Sequence, residues 1–305
     1  MKKISNTSEV TSAVYKQNFV DKHYKWIYTA PALIFVCLLM VFPVVYTFIL
    51  SFTDWSLTSG RAMKFVGLGS FIKVFKEPRF WAALGRTLLF TFFAVVFEMV
   101  LGTIIALILN AEFKGKSVAK TMLLLPLVAT PVAVGLVFTL FYDPTIGFLN
   151  YILNALGLPM SGWHTSSSTV MASLILVDVW QWTPMITLMV LAGLSGISDE
   201  PYESAMVDGA SYWQTLFNIT LPMIIPTILT AVILRSIEAL KTYDIIYSMT
   251  GGGPGYSSET LNILAYKYSF EYFAMGEGSV ILIVLFSLVL LFCLGVMKLR
   301  KLSEV

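Results

Sequence analysis

Long apolar runs alternate with short polar loops from one end of the chain to the other. Six stretches, roughly 26–50, 81–109, 121–142, 169–194, 223–247 and 276–297, are apolar almost throughout. A bilayer core about 30 Å thick is crossed by about 20 such residues in a helix, so the pattern predicts six transmembrane helices, with both termini on one side. The loops between them, roughly 53–80, 111–120, 143–168, 195–222 and 248–275, are too short for a separate soluble domain. The expected fold class is therefore all-α: a polytopic membrane domain over 26–300 with polar tails at 1–25 and 301–305. The first apolar run is too long for the h-region of a cleaved signal peptide, and a retained tail is expected.

Composition agrees with this reading and removes other classes. The 305 residues are 57% hydrophobic and 12% charged, with a mean hydropathy of +0.79, well beyond the range of a soluble domain. A net charge of +2 is too slight to suggest nucleic acid. Cys37 and Cys293 both fall in apolar runs, leaving neither a disulfide framework nor a Cys/His metal cluster. His23 and His164 have no partner pattern, and no nucleophile is spaced with a base, so catalysis is not expected. The run Gly251-Gly252-Gly253-Pro254-Gly255 lacks the Lys-Ser/Thr ending of a phosphate loop. No cofactor is expected in this chain.

Basic residues report topology. The side with the termini carries Lys2, Lys3, Lys16, Lys22, Lys25, Lys114, Lys116, Lys120, Lys298, Arg300 and Lys301, against Arg61, Lys64, Lys73, Lys76, Arg79 and Lys267 on the other, eleven to six. Both termini are expected in the cytoplasm. The triplets at Asn6 and Asn218 would then lie where glycosylation does not occur. By the same logic 195–222 is cytoplasmic, yet DEPYESAMVDGASYWQTLFNITLP at 199–222 holds Asp199, Glu200, Glu203 and Asp208 and no base. Pro201 suits a first helical turn capped by Asp199 or Glu200, and Gly209 can take the left-handed conformation that ends a helix. Ser211 can cap a second helix, 212–219, before Leu221-Pro222 opens the next span. Tyr202, Ala205, Met206, Trp213, Leu216 and Phe217 give this hairpin more apolar surface than a solvated linker needs.

Glu203-Ser204-Ala205, three residues, Gly209, nine residues, Ile219, one residue and Leu221-Pro222 resemble the EAA loop of permease subunits of ABC importers, with Ser204 replacing its middle residue. The stretches FVGLGSF at 65–71, EPRFWAALGRTLLFT at 77–91, TLPMIIP at 220–226 and MTGGGPGYSSETLNILAYKYSF at 249–270 are similar to the carbohydrate-uptake permeases of the maltose-transporter class. The resemblance implies that the first hairpin helix, including Met206 and Asp208, is a coupling helix docked in a cleft of a separate ATPase, with Glu203 its ionic contact. It also implies two ATPase subunits that bind ATP and Mg, a second homologous permease, an extracytoplasmic solute-binding protein, and a sugar, with an oligosaccharide favoured, carried across a bacterial inner membrane. A basic cleft would account for a loop without bases, since like charge opposes docking.

Ionisable residues inside spans are costly and usually face a cavity or the bundle interior. Arg86, Glu98, Asp178, Arg235, Glu238, Lys241 and Asp244 are the candidates. On the fifth span Arg235, Glu238, Lys241 and Asp244 alternate in sign at steps of three, which allows pairing along the helix. The ladder reads equally as structural or as a translocation path, where Thr242, Tyr243 and Tyr247 add hydroxyls and rings. Asp178, Trp180, Gln181 and Trp182 offer the amide, carboxylate and aromatic groups that bind sugars, although Trp also serves as an interfacial anchor. Pro126, Pro131 and Pro184 permit kinks within spans. The rival reading is a secondary transporter driven by an ion gradient through Glu98, Asp178, Glu238 or Asp244.

Overall fold

The computed structural model describes residues 19–60 and 62–303, with side chains from 25 to 298 apart from positions 27 and 61. Most of the tail at 1–25, the Asn6 triplet, Arg61 and residues 304–305 lie outside the described residues, as do the side chains of His23, Arg300 and Lys301. The chain forms two compact units, residues up to Ile49 and those from Leu50 onward. The first contains helix α1 (Phe19–Val36), a π turn (Cys37–Val41) and most of α2 (Phe42–Leu50).

The second unit contains α3 (Gly69–Lys76), α4 (Pro78–Asn110), α5 (Lys116–Val128), α6 (Pro131–Phe141), α7 (Phe148–Ala155) and α8 (Val170–Ser195). It continues with α9 (Glu200–Val207), α10 (Tyr212–Thr215), α11 (Leu221–Leu240), α12 (Asp244–Thr250), α13 (Leu261–Tyr266) and α14 (Met275–Ser303). Among the described residues five helices are long and apolar enough to cross a membrane, and the bent pair α5–α6 makes a sixth crossing if counted as one. Among the described residues there is no strand, only an isolated bridge between Thr53 and Phe65.

The mast of the bundle is α4, whose 33 residues extend about 50 Å at 1.5 Å per residue. Ala83, Thr87, Thr91, Ala94, Glu98, Gly102, Ala106 and Leu109 recur at steps of three or four and are all buried, so one narrow face carries the packing. Small residues suit that face because helices in lipid associate through close van der Waals contact rather than exclusion of water. At Gly102 an added Cβ would lie 2.8 Å from Ile186 of α8, too close for any larger side chain without a shift. Three core clusters stack along this mast. Phe80 and Ala83 pack with Leu261, Leu264, Val280 and Ile281; Phe90 and Ala94 with Leu174, Val177 and Ile246; Ala106 and Leu109 with Val190, Leu194 and Ile224. The order of these contacts makes α4 and α8 parallel, with α11 antiparallel to both.

Two spans depart from the expected continuous helices. The third breaks between α5 and α6, which meet at 97°. Pro131 disfavours helical geometry in the residue before it, and Ala129 and Thr130 are extended, with ψ of 138° and 140°. Gln181 of α8 donates from Nε2 to the Ala129 carbonyl at 3.0 Å, satisfying a backbone group the break leaves open. The fifth span ends at Leu240 rather than 247; Lys241, Thr242 and Tyr243 are outside helix, and Asp244 starts α12.

Candidate functional site

The hairpin at 199–211 sits at the end of the bundle where α8 finishes. Asp199 occupies the N-cap position of α9 and Pro201 its first turn, but the Asp199 side chain makes no capping bond; its carbonyl accepts from the N–H of Tyr202 and Glu203, each at 3.0 Å. Glu200 and Glu203 lie in the first turn, where negative charge complements the helix dipole. Gly209 closes the helix with φ +72°, and Ala210 N–H donates back to the Ala205 carbonyl at 2.9 Å. Ser211 then forms a capping box: its N–H donates to Gln214 Oε1 at 2.7 Å while its Oγ accepts from Gln214 N–H.

The second arm is not a separate helix of 212–219. From Tyr212 one helix runs through a π turn at Leu216–Thr220 into α11 and on to Leu240. Ile219, Leu221 and Pro222 therefore belong to the wall of the bundle, and the short free helix is α9 alone. It buries Ala205 and leaves Met206 71% and Val207 87% exposed. Asp199, Glu200, Glu203 and Asp208 make no ion pair with any described residue.

Deep in the bundle, Glu98 of α4, Asp178 of α8 and Arg235 of α11 are fully buried. Arg235 donates from Nε to Glu98 Oε2 at 2.7 Å, and from Nη2 both to Glu98 Oε1 at 3.0 Å and to Asp178 Oδ2. Its guanidinium carbon also lies 5.0 Å from the centre of the Trp182 ring. The expected ladder along the fifth span is thereby corrected: Arg235 pairs across three helices, and Asp244 is off the helix. Only Lys241 and Glu238 pair along it, at 2.9 Å. Bidentate geometry is what lets a guanidinium and a carboxylate offset their loss of solvation. Asp178 Oδ1 and Arg235 Nη1 nevertheless remain buried without a partner.

Next to this triad is a cavity of about 160 Å³. Asp178, Glu238, Lys241, Thr242, Tyr243 and Asp244, scattered over two spans in the sequence, all line it. Tyr247 extends the wall by stacking on Tyr243 with centroids 5.1 Å apart. Trp180 and Gln181 are not brought to the cavity: Trp180 packs edge-on against Phe138 at 5.2 Å, and Gln181 serves the break in the third span. Trp182, Pro131, Arg235 and Ile245 complete the lining. A larger groove of about 730 Å³ between α4 and the start of the Tyr212–Leu240 helix is apolar and has no charged residue in its lining.

At the opposite end, the Gly-rich segment folds over a glutamate that the sequence did not single out. Glu259 is fully buried and receives Arg79 Nε and Nη2 at 2.6 and 2.7 Å, with Lys267 Nζ at 3.2 Å. Arg86 donates to its carbonyl at 2.9 Å, and Arg79 lies 3.9 Å from the centre of the Tyr256 ring. The concentration of Arg61, Lys64, Lys73, Lys76 and Arg79 at 61–79 is the sequence signal that accompanies the buried Glu259.

Residues 10–299 match the family described as the binding-protein-dependent transport system inner membrane component. The chain belongs to this family. Among relatives of this inner membrane component, the sulfoquinovosyl glycerol transport system permease protein SmoG of Agrobacterium fabrum is 37% identical over 85% of this chain and 84% of the relative. The trehalose/maltose transport system permease protein MalF of Thermococcus litoralis is 36% identical over 89% and 91%. The fold of this transport component also matches a solved bacterial ABC transporter involved in import of the acidic polysaccharide alginate, with TM-score 0.80 over 92% of this chain and 96% of that one at 21% identity.

Proposed function

We propose that this inner membrane component is one of two homologous membrane subunits of a bacterial ABC importer for a sugar, an oligosaccharide being favoured. Both termini and the hairpin lie in the cytoplasm, a solute-binding protein delivers substrate from outside, and two separate ATPase subunits bind ATP and Mg. The sugar assignment draws support from the trehalose/maltose and sulfoquinovosyl glycerol relatives and from the cavity, which joins hydrogen-bonding side chains to the rings of Trp182 and Tyr243.

The observation that carries the coupling role is the continuity of the Tyr212–Leu240 helix. One end of it is the second arm of the hairpin; the other bears Arg235 and Glu238 at the cavity. The exposed Met206 and Val207 are the apolar contact of α9 with the ATPase, Glu203 is the ionic contact, and Gly209 makes the turn with Asp208 beside it. Ser204 keeps that helix slim enough for a cleft. Closure of the ATPases moves the hairpin, the helix carries the movement inward, and the cavity changes access. Glu203→Lys in the assembled complex is expected to abolish substrate-stimulated ATP hydrolysis while leaving membrane insertion intact. Wild-type hydrolysis in that variant would remove Glu203 from the coupling role.

A further inference from the structure

The cavity holds more acid than base, and the excess survives one proton taken up by the buried triad. Asp178, Glu238 and Asp244 line it against Arg235 and Lys241. Glu238 and Lys241 neutralise each other at 2.9 Å. Arg235, the one remaining cation, is already matched by two carboxylates, Glu98 and Asp178. Even if those two share a proton and the triad is neutral, Asp244 remains, exposed and without an ion pair to any described residue. Asp178 Oδ1, fully buried and unpartnered, adds an acceptor on the same wall. An anionic ligand would be a third negative partner for one guanidinium and would lie beside the unmatched Asp244, where like charges repel.

We propose that this cavity selects uncharged solutes and rejects anionic ones, so that a neutral glycoside is accepted and its carboxylate counterpart is not. The proposal rests on the cavity being the substrate path, and it narrows the substrate class of that path to neutral sugars. Family membership leaves this open, since the similar proteins include an importer of an acidic polysaccharide.

The test uses the complex of this chain with its permease partner and ATPases in nanodiscs, without binding protein, so that only the membrane site is probed. Saturation-transfer NMR compares methyl glucoside with methyl glucuronide, which differ by one carboxylate. The glucoside is expected to bind about tenfold or more tightly than the glucuronide. Asp244→Asn, at an exposed position, narrows that ratio by about threefold, and Asp178→Asn narrows it further. Equal binding of the two, or a preference for the glucuronide, overturns the selectivity and leaves the path intact. Thr242→Trp, which fills the cavity, is expected to abolish the glucoside signal. A signal that persists there, or a wild type that binds neither glycoside, overturns the path itself and the selectivity with it.

Discussion

At the end of the bundle where α4 begins, Glu259 is buried beneath the Gly-rich segment and held by Arg79 and Lys267. At the other end, four acids of the hairpin face outward with no ion pair to any described residue, and Met206 and Val207 lie bare beside them. The same currency of charge is spent inward at one end and left outward at the other. A buried carboxylate held by two cations fixes a segment to its own chain, because separating them would strand charge in a poor solvent. An exposed, unmatched one costs little to keep and stays available to another molecule. Between them, the Glu98–Asp178–Arg235 triad combines both characters: buried like the first, incompletely partnered like the second.

The contrast can be broken by substitution. Arg235→Ala strands two buried carboxylates and is expected to cost roughly 3–5 kcal/mol, read as a large fall in the thermal midpoint of the purified protein. Glu259→Gln leaves Arg79 and Lys267 without their acid; because both cations retain some solvent access, a smaller loss of about 2–3 kcal/mol is expected. If melting were unchanged, the pinned end would not be pinned. Gly209→Ala has room for its methyl group but places it at φ +72°, with an expected cost of about 1–2 kcal/mol. Met206→Ala should alter stability by no more than about 0.5 kcal/mol, as for a surface position, while weakening capture of the ATPase in pull-down. A large loss of stability in that variant would mean the hairpin is packed on its own chain after all.

The spans were legible because a hydrophobic core 30 Å thick demands long apolar runs, and the hairpin because Pro201, Gly209 and Ser211 punctuate it locally. Pro131 marked a kink without revealing that the chain turns by 97° there; the carbonyl opened at Ala129 finds its donor in Gln181, 52 residues away. Arg235, Glu98 and Asp178 stood out as costly charges, but periodicity alone favoured pairing at steps of three along one helix. The real partners lie 137 and 57 residues away, a separation that only helix packing can close. Glu259 was hidden in the same way: nothing local distinguishes a buried loop glutamate from a solvated one. The π turn at Leu216–Thr220 has no Pro or Gly of its own to announce it.

The uninterrupted backbone from Tyr212 to Leu240 contains 29 residues and measures about 43 Å. In the coupling role proposed above, a push at its capped end would need no relay of side chains to reach Arg235 and Glu238; it would arrive as the displacement of a single connecting rod. The wider winding at Leu216–Thr220 lies between the capping box and α11, whose own interior holds Pro226.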